Sequence, residues 1–295
     1  MSIAITGASG QLGRLAAERV LEQHDAKDVV LVTRDPSKLA DLAAKGADVR
    51  AGDFTDPASL DAAFQGVDKL LLISLDTVGT RVEPQRAAVA KAKEAGVAHI
   101  VYTSIVNPSD SNPIAVAAEH LATEEAIRAA GVTFTFLRNA IYAEMAVRTA
   151  QGGVEHGTIH ANEGDGKVAY VSRADCAAVA AAVLTDGTGK HADKAYDVTG
   201  PEAVTVEQVA AIAAEIAGRP ISVEHVDDEA TVQAMVQHAG LPEPVARVFA
   251  SFGTGHRLGW SAAVSTTVED LTATKPRTVR EVLTQALTAS AQQTA

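Results

Sequence analysis

Six short apolar or β-branched runs alternate with single helical stretches through the first half of the chain. No other feature of the sequence restricts the fold as tightly. The runs are "SIAIT" (2–6), "DVVLVT" (28–33), "DVRAGD" (48–53), "KLLLIS" (69–74), "HIVYTS" (99–104) and "TFTFLR" (133–138), and each predicts a strand. Helical patterns fill 11–23, 36–45, 57–65, 82–95 and 117–130. Asp35-Pro36 and Asp56-Pro57 place a capping side chain ahead of a proline suited to a first turn. Gly46, Gly66, Gly96 and Gly131 each follow a helix, where a left-handed cap is common. Strands joined through single helices require right-handed crossovers and a parallel sheet covered on both faces. The expected fold class is α/β, a doubly wound Rossmann sheet.

Past residue 140 the rhythm changes. "ADCAAVAAAVLTD" (174–186), "TVEQVAAIAAEIAG" (205–218), "DEATVQAMVQHAG" and "TVREVLTQALTASAQ" read as helices, the second opened by a Thr205/Gln208 capping box. "AYDVTG" and "ISVEHV" read as strands, the glycine-rich "SFGTGHRLGW" as a loop, and the polar end of the chain as a frayed tail. Residues 1–150, with returning segments near 168–200, are expected to form the nucleotide-binding domain, and 151–295 a smaller α/β domain over the sheet's ligand edge.

Gly7, Gly10 and Gly13 stand in a G-x-x-G-x-x-G spacing between the first strand and the first helix. A helix N-terminus offers free amides and the positive end of its dipole, so this context turns a weak glycine trio into a pyrophosphate site. Thr6, Gly7, Ser9, Gly10, Gln11, Leu12 and Gly13 are the expected cofactor-binding residues of the loop. The second strand ends "VTRDPSK". Arg34 there can hold a ribose 2′-phosphate, with Lys38 one turn on adding charge, which favours NADP(H). Asp35 keeps NAD open, because NAD-selective folds place an acid near this position. Asp53 and Phe54 in "GDFTD", and Ile73, Ser74 and Leu75 in "LLISLD", fall at strand ends facing the same crevice.

Other chemistries find little support. The net charge of -12 with scattered Lys and Arg argues against a nucleic-acid surface, and no apolar run is long enough to span a bilayer. The single cysteine, Cys176, lies in an Ala/Val-rich helical pattern and reads as a small buried residue. One cysteine and no export signal lead to the expectation of a cytoplasmic protein. His156 and His160 lack a third ligand nearby, so no metal is expected, and Ser9 lacks the spacing of a nucleophile elbow.

The stretches "ITGASGQLG", "GDFTD", "YTSIVNP", "EHLATEEAIRAAGVTFTFLRNAIY" and "GDGKVAYVSRADCAAV" resemble the NmrA-like group of atypical short-chain dehydrogenase/reductases. The resemblance runs from residue 1 to about 285, and "HLATEEAIR" followed by "FTFLRNAIY" places it near the quinone reductase and triphenylmethane reductase branch. It implies a Rossmann domain, a small domain closing over the nicotinamide, and NADPH as hydride donor. Other members of the wider group bind the dinucleotide as redox sensors without catalysis.

Ordinary short-chain dehydrogenases carry a Tyr-x-x-x-Lys pair on the helix after strand five. Here that helix reads "AVAAEHLATEEAIRAA", with neither residue. Ser104 holds the strand-end serine position, and His120 falls near the lysine position of wider-group members, with Glu119 and Glu124 close by. Asn139 and Tyr142, in "RNAIYAEM", are expected beside the nicotinamide and the acceptor. Reducing a simple ketone without a placed acid loses about two to four orders of magnitude. Quinones and cationic triarylmethane dyes accept hydride with less proton help, so the expected partner is a small-molecule acceptor of the quinone, ketone or dye kind. A catalytically silent NADP(H) sensor stays open. So does an alcohol dehydrogenase using Tyr142 or Tyr102, and a homodimer stays open too.

Overall fold

The fold is a computed structural model that describes residues 1–293. Among these described residues nine strands follow in chain order: β1 (Ile3–Ile5), β2 (Val29–Thr33), β3 (Asp48–Ala51), β4 (Lys69–Leu72), β5 (His99–Ile105), β6 (Thr133–Asn139), β7 (Thr158–Ala161), β8 (Lys194–Val198) and β9 (Ser222–His225). The helices of the first half are α1 (Gln11–Leu21), α2 (Ala40–Ala43), α3 (Pro57–Phe64), α4 (Val82–Glu94) and α5 (Val116–Ala130). Those of the second half are α6 (Ala143–His156), α7 (Arg173–Thr185), α8 (Val206–Ala217), α9 (Asp228–Ala239), α10 (Glu243–Arg257), α11 (Thr267–Thr272) and α12 (Val279–Gln293).

Seven strands form one parallel sheet in the order β3-β2-β1-β4-β5-β6-β8. Every residue of β1 and β4 is buried, as expected of central strands covered on both faces. Ile3 and Ile5 enter the cluster shared with α1 and α7, while Ala4 faces the one that includes Leu60, Phe64 and Tyr102. Chain order reverses between β1 and β4, so a crevice opens at their carboxyl ends, where ligands of open α/β sheets bind. At the opposite end, buried Lys69 points its ammonium at the last carbonyls of α7, bonding Val183, Leu184 and Asp186 at 3.3, 3.1 and 2.7 Å. A cation at a helix C-terminus satisfies carbonyls that have no partner inside the helix.

The second half packs beside this sheet. Strands β7 and β9 form a small parallel pair, and α6, α8 and α12 share a cluster built on Ala146, Val147, Val209 and Leu283. The capping box at Thr205 and Gln208 is present. One expectation fails: the segment expected as a loop, "SFGTGHRLGW", is helical through Arg257 as the end of α10. Its glycines serve close contact rather than a turn. A Cβ on Gly253 would lie 2.1 Å from Asn162 Oδ1, and one on Gly255 2.2 Å from Ile114 Cγ1. Two helix-interior glycines cost about 2 kcal/mol in propensity, and tertiary packing outweighs it. The expected frayed tail ends at residues 294 and 295, which lie outside the described residues.

Candidate active site

The turn after β1 is built by backbone geometry. Gly7 has φ +59°, and its carbonyl accepts from Gly10 N at 2.8 Å. A Cβ on Gly13 would sit 2.2 Å from Gly7 O, so α1 can approach the loop this closely only without a side chain there. No side chain caps α1 and no acid lies in its first turn, leaving its amides and positive dipole end for an outside anion. Thr6 Oγ1 donates to Leu71 O and accepts from Ile73 N, both at 3.0 Å, which ties the turn to the end of β4. Ser9 Oγ meets Thr33 Oγ1 at 2.7 Å, tying it to β2. The cradle fits a dinucleotide pyrophosphate.

At the end of β2 the acidic and basic neighbours part ways. Asp35 caps the following 3₁₀ turn, accepting from Ser37 N at 3.1 Å and Ser37 Oγ at 2.6 Å, and these bonds hold its carboxyl below the usual range. Arg34 is exposed, and its charge pulls on the Asp53 carboxylate. Asp53 is engaged in its own turn, accepting from Thr55 N and Oγ1 at 2.9 and 2.8 Å, and Phe54 is buried with Leu60 and Phe64. Lys38 is exposed one turn past Arg34, while Arg14 of α1 pairs with Asp41 and Glu18. Among the described residues, Arg34 and Lys38 are thus exposed cations past the end of β2 with no ion pair.

Past β4 the chain is pinned by side chains. Ser74 N donates to Thr103 Oγ1 at 2.9 Å and Leu75 N to Gln85 Oε1 at 2.8 Å. Arg81 donates to Leu75 O at 3.0 Å and pairs with Glu119 at 2.8 Å, both side chains largely buried. Sequence reasoning missed Arg81 and Gln85, since polar residues on an ordinary surface helix carry no motif. Their faint signal is their place one turn apart after a strand end.

The four expected chemical residues divide into separate groups. Ser104 Oγ donates to Glu124 Oε1 at 2.8 Å, and the fully buried Glu124 also accepts from Arg138 and Arg128. The serine's proton is therefore committed inward, and its lone pairs remain. His120 is held by Tyr102, whose hydroxyl lies 2.9 Å from Nδ1 while Gln85 Nε2 donates to that hydroxyl at 3.4 Å. A phenol proton given to Nδ1 would put the imidazole proton on Nε2. Burial and the nearby Arg81 hold His120 well below its ordinary pKa, so it is neutral and offers a hydrogen bond rather than a proton.

Asn139 and Tyr142 meet each other: Asn139 Nδ2 donates to the Tyr142 hydroxyl at 3.4 Å. Burial raises the Tyr142 phenol, and the Arg173 guanidinium lies over its ring, 4.7 Å from the centroid. Asn139 is 4% exposed and its Oδ1 has no partner, a buried acceptor waiting for a donor at the carboxyl end of β6. That orphan suits the carboxamide of a nicotinamide. Cys176 is buried, and apolar surroundings push its thiol up, which leaves it inert. His156 ends α6 and His160 lies on β7, each nearest a glutamate. Among the described residues no group of His, Cys, Asp and Glu could hold a metal ion, and no helix is long and apolar enough to cross a membrane.

Known proteins match the chain along most of its length. The chain is 39% identical over 257 residues to quinone oxidoreductase 2 of Escherichia coli, covering 87% of this chain and 88% of that one. The crystal structure of NADPH-dependent quinone oxidoreductase from Escherichia coli complexed with NADPH superposes with a TM-score of 0.91 at 36% identity, covering 97% and 99% of the two chains. Triphenylmethane reductase of Citrobacter sp., complexed with NADP(H), gives 0.89 at 35% identity over 97% and 100%. Residues 1–283 match the model of the NmrA-like family, and the chain belongs to that family.

Proposed function

We propose that the protein is an NADPH-dependent oxidoreductase that passes hydride to quinone-like and other electron-poor carbonyl or dye acceptors. One observation carries the reading: a finished dinucleotide cradle faces a crevice where, among the described residues, no side chain is poised to give up a proton. His120 is neutral, and burial pushes Tyr102 up to about 12 and Tyr142 up as well. Electron-poor acceptors are the class that tolerates such a site, because catalysis then rests on holding the acceptor at attack distance. The similarity to the quinone and triphenylmethane reductases supports the same class.

When bound, NADPH supplies the hydride. Gly7, Gly10 and Gly13 with the first turn of α1 hold its pyrophosphate, and Arg34 and Lys38 hold its 2′-phosphate. Asp53, Phe54, Ile73, Ser74 and Leu75 line its adenosine and ribose. Asn139 Oδ1 takes the carboxamide, and Tyr142, Ser104 and His120 Nε2–H border the acceptor. Residues 1–150, with the returning segment near 168–200, carry the cofactor, and 151–295 shape the acceptor pocket. A cytoplasmic setting belongs to the same reading, supported by a single buried cysteine.

The test is loss of NADPH absorbance with a benzoquinone, a cationic triarylmethane dye and a simple aliphatic ketone. Quinone and dye are expected to turn over, with the ketone slower by about a hundredfold or more. Tight NADPH binding without turnover of any acceptor would overturn the enzyme reading in favour of a redox sensor.

A further inference from the structure

Among the described residues, four buried side-chain polar atoms lack any partner: Asn139 Oδ1, both ring nitrogens of His256, and Ser261 Oγ. Their residues are 4%, 6% and 2% exposed. An unpaired buried polar group is costly and rare, so three residues of this kind in one region call for a ligand.

Chain contacts bring them to the same end of the sheet. Val248, Phe252 and His256 stand one turn apart on α10, and the first two pack on the cluster containing Ile105, Val106 and Ile114 at the end of β5. The His256 ring meets Phe252 edge-on, 6.3 Å between centroids, and so continues that row along α10. Gly166 lies against the same turn, where a Cβ would fall 2.5 Å from the His256 carbonyl carbon. Ser261 follows Trp260, whose carbonyl accepts from Asn107 Nδ2 at 2.9 Å in the loop after β5. Ser261 O accepts from Ala169 N at 2.9 Å, and Val171 N reaches Ile141 O at 3.0 Å, between Asn139 and Tyr142.

We propose that His256 and Ser261 form the acceptor-binding hydrogen-bond pair of the pocket and select acceptors that carry a carbonyl oxygen. The proposal rests on the reductase reading above. A neutral imidazole and a hydroxyl each supply one donor. Adding hydride to a quinone carbon moves the C=O π pair onto oxygen, and that oxyanion takes the His256 N–H and Ser261 O–H bonds. Water protonates that oxygen, and the added hydrogen then leaves carbon as a proton while the second carbonyl oxygen gains one, so NADPH, quinone and one proton give NADP⁺ and hydroquinone. A cationic triarylmethane dye takes hydride at carbon, develops no oxyanion and gains little from the pair.

The test compares His256→Phe, Ser261→Ala and His256→Gln with the parent protein, using naphthoquinone and a cationic triarylmethane dye. The quinone-to-dye ratio of kcat/KM should fall about tenfold to a hundredfold in His256→Phe, the worth of a hydrogen bond to a developing charge. Ser261→Ala should follow in direction, and His256→Gln, which keeps a donor, should recover most of the preference. Because an unpaired polar group is removed, Tm should rise by about 2 °C in His256→Phe, opposite to a structural histidine. An unchanged ratio, or equal loss on both acceptors with a lower Tm, overturns the proposal. A ring-nitrogen NMR shift of His256 on adding naphthoquinone to the NADP⁺-loaded protein reads binding without turnover. If that shift appears while NADPH oxidation does not, the pair stands and the reductase reading falls; turnover with neither shift nor ratio change does the reverse.

Discussion

The two sides of the crevice are built on opposite plans. On the β1–β4 side, polar groups are answered within the protein: Thr6 joins two strands, Ser9 meets Thr33, and Asp35 and Asp53 cap their own turns. On the β5–β6 side, Asn139, His256 and Ser261 keep buried polar atoms without partners. The first side is shaped before any ligand arrives. The second holds a desolvation cost of about 1–3 kcal/mol per group that a ligand can relieve. Rigidity thus lies on the side proposed for the pyrophosphate and ribose, and unmet hydrogen bonding on the side proposed for the nicotinamide and the acceptor.

Breaking the finished side should have the largest effect. Gly13→Ala puts a methyl group 2.2 Å from Gly7 O and 2.7 Å from Gly7 C, and both are backbone atoms that can yield only by opening the loop. NADPH affinity is expected to fall by about a hundredfold or more, since the amides of α1 then no longer converge on one anion. Fluorescence titration of NADPH measures this, with circular dichroism confirming a folded chain. Binding within threefold of the parent would mean that the loop does not set the site.

Acid gives the next largest effect, through one partnered and one unpartnered histidine alike. His99, bonded to Thr135 at 2.8 Å, and His256, with no bond, are each lowered to about 4, burial being the first cause in both. These folded values lie below the ordinary 6.5, so the unfolded chain takes up each proton first as pH falls. Their contribution is complete above pH 6.5 and is lost progressively towards pH 4, by up to about 3 kcal/mol per site. Urea unfolding against pH should show this slope, and His256→Phe should remove close to one proton's worth of it. An unchanged slope in that variant would show that His256 takes its proton in the folded state.

Arg34 sharpens the comparison from the side proposed for the cofactor, as an exposed cation that, like Lys38, has no ion pair among the described residues. Arg34→Ala should weaken NADPH by about tenfold to a hundredfold, the loss of charge-assisted bonds to a phosphate, and leave NADH nearly unchanged. Equal losses for both cofactors would place Arg34 away from the 2′-phosphate.

How far the sequence discloses each side follows from the same contrast. The cofactor side is legible because it depends on backbone: Gly13 is required by a steric contact with Gly7, and the strand–loop–helix order states where that contact falls. Asp35 and Arg34 are adjacent in sequence, yet the capping role that removes Asp35 from competition depends on Ser37, two residues on. The side proposed for the acceptor draws on residues near 107, 139, 169, 256 and 261, which come together only after the second half folds back. His256 there carries no spacing signal. The glycines around it suggest a loop because their close partners, Asn162 and Ile114, lie about a hundred residues away. Composition shows that glycine is present but not what it approaches.

The smallest expected effect concerns the joint between the two sides, where Tyr102 holds His120. Tyr102→Phe removes one hydroxyl and keeps the ring packed edge-on against Phe136. Gln85 Nε2 retains its 2.8 Å bond to Thr123 and gives up a 3.4 Å contact, so the main loss is the proton offered to His120 Nδ1. Leaving that nitrogen buried and unpaired should lower stability by about 1 kcal/mol and free the imidazole to exchange tautomers. Quinone reduction should then drop less than about tenfold, because only an orienting bond is weakened. A fall of a hundredfold or more, with unchanged NADPH binding, would instead make the phenol a proton donor and revive the alcohol dehydrogenase reading. The buried phenol, pushed up to about 12 with no cation bonded to its oxygen, argues for the smaller number.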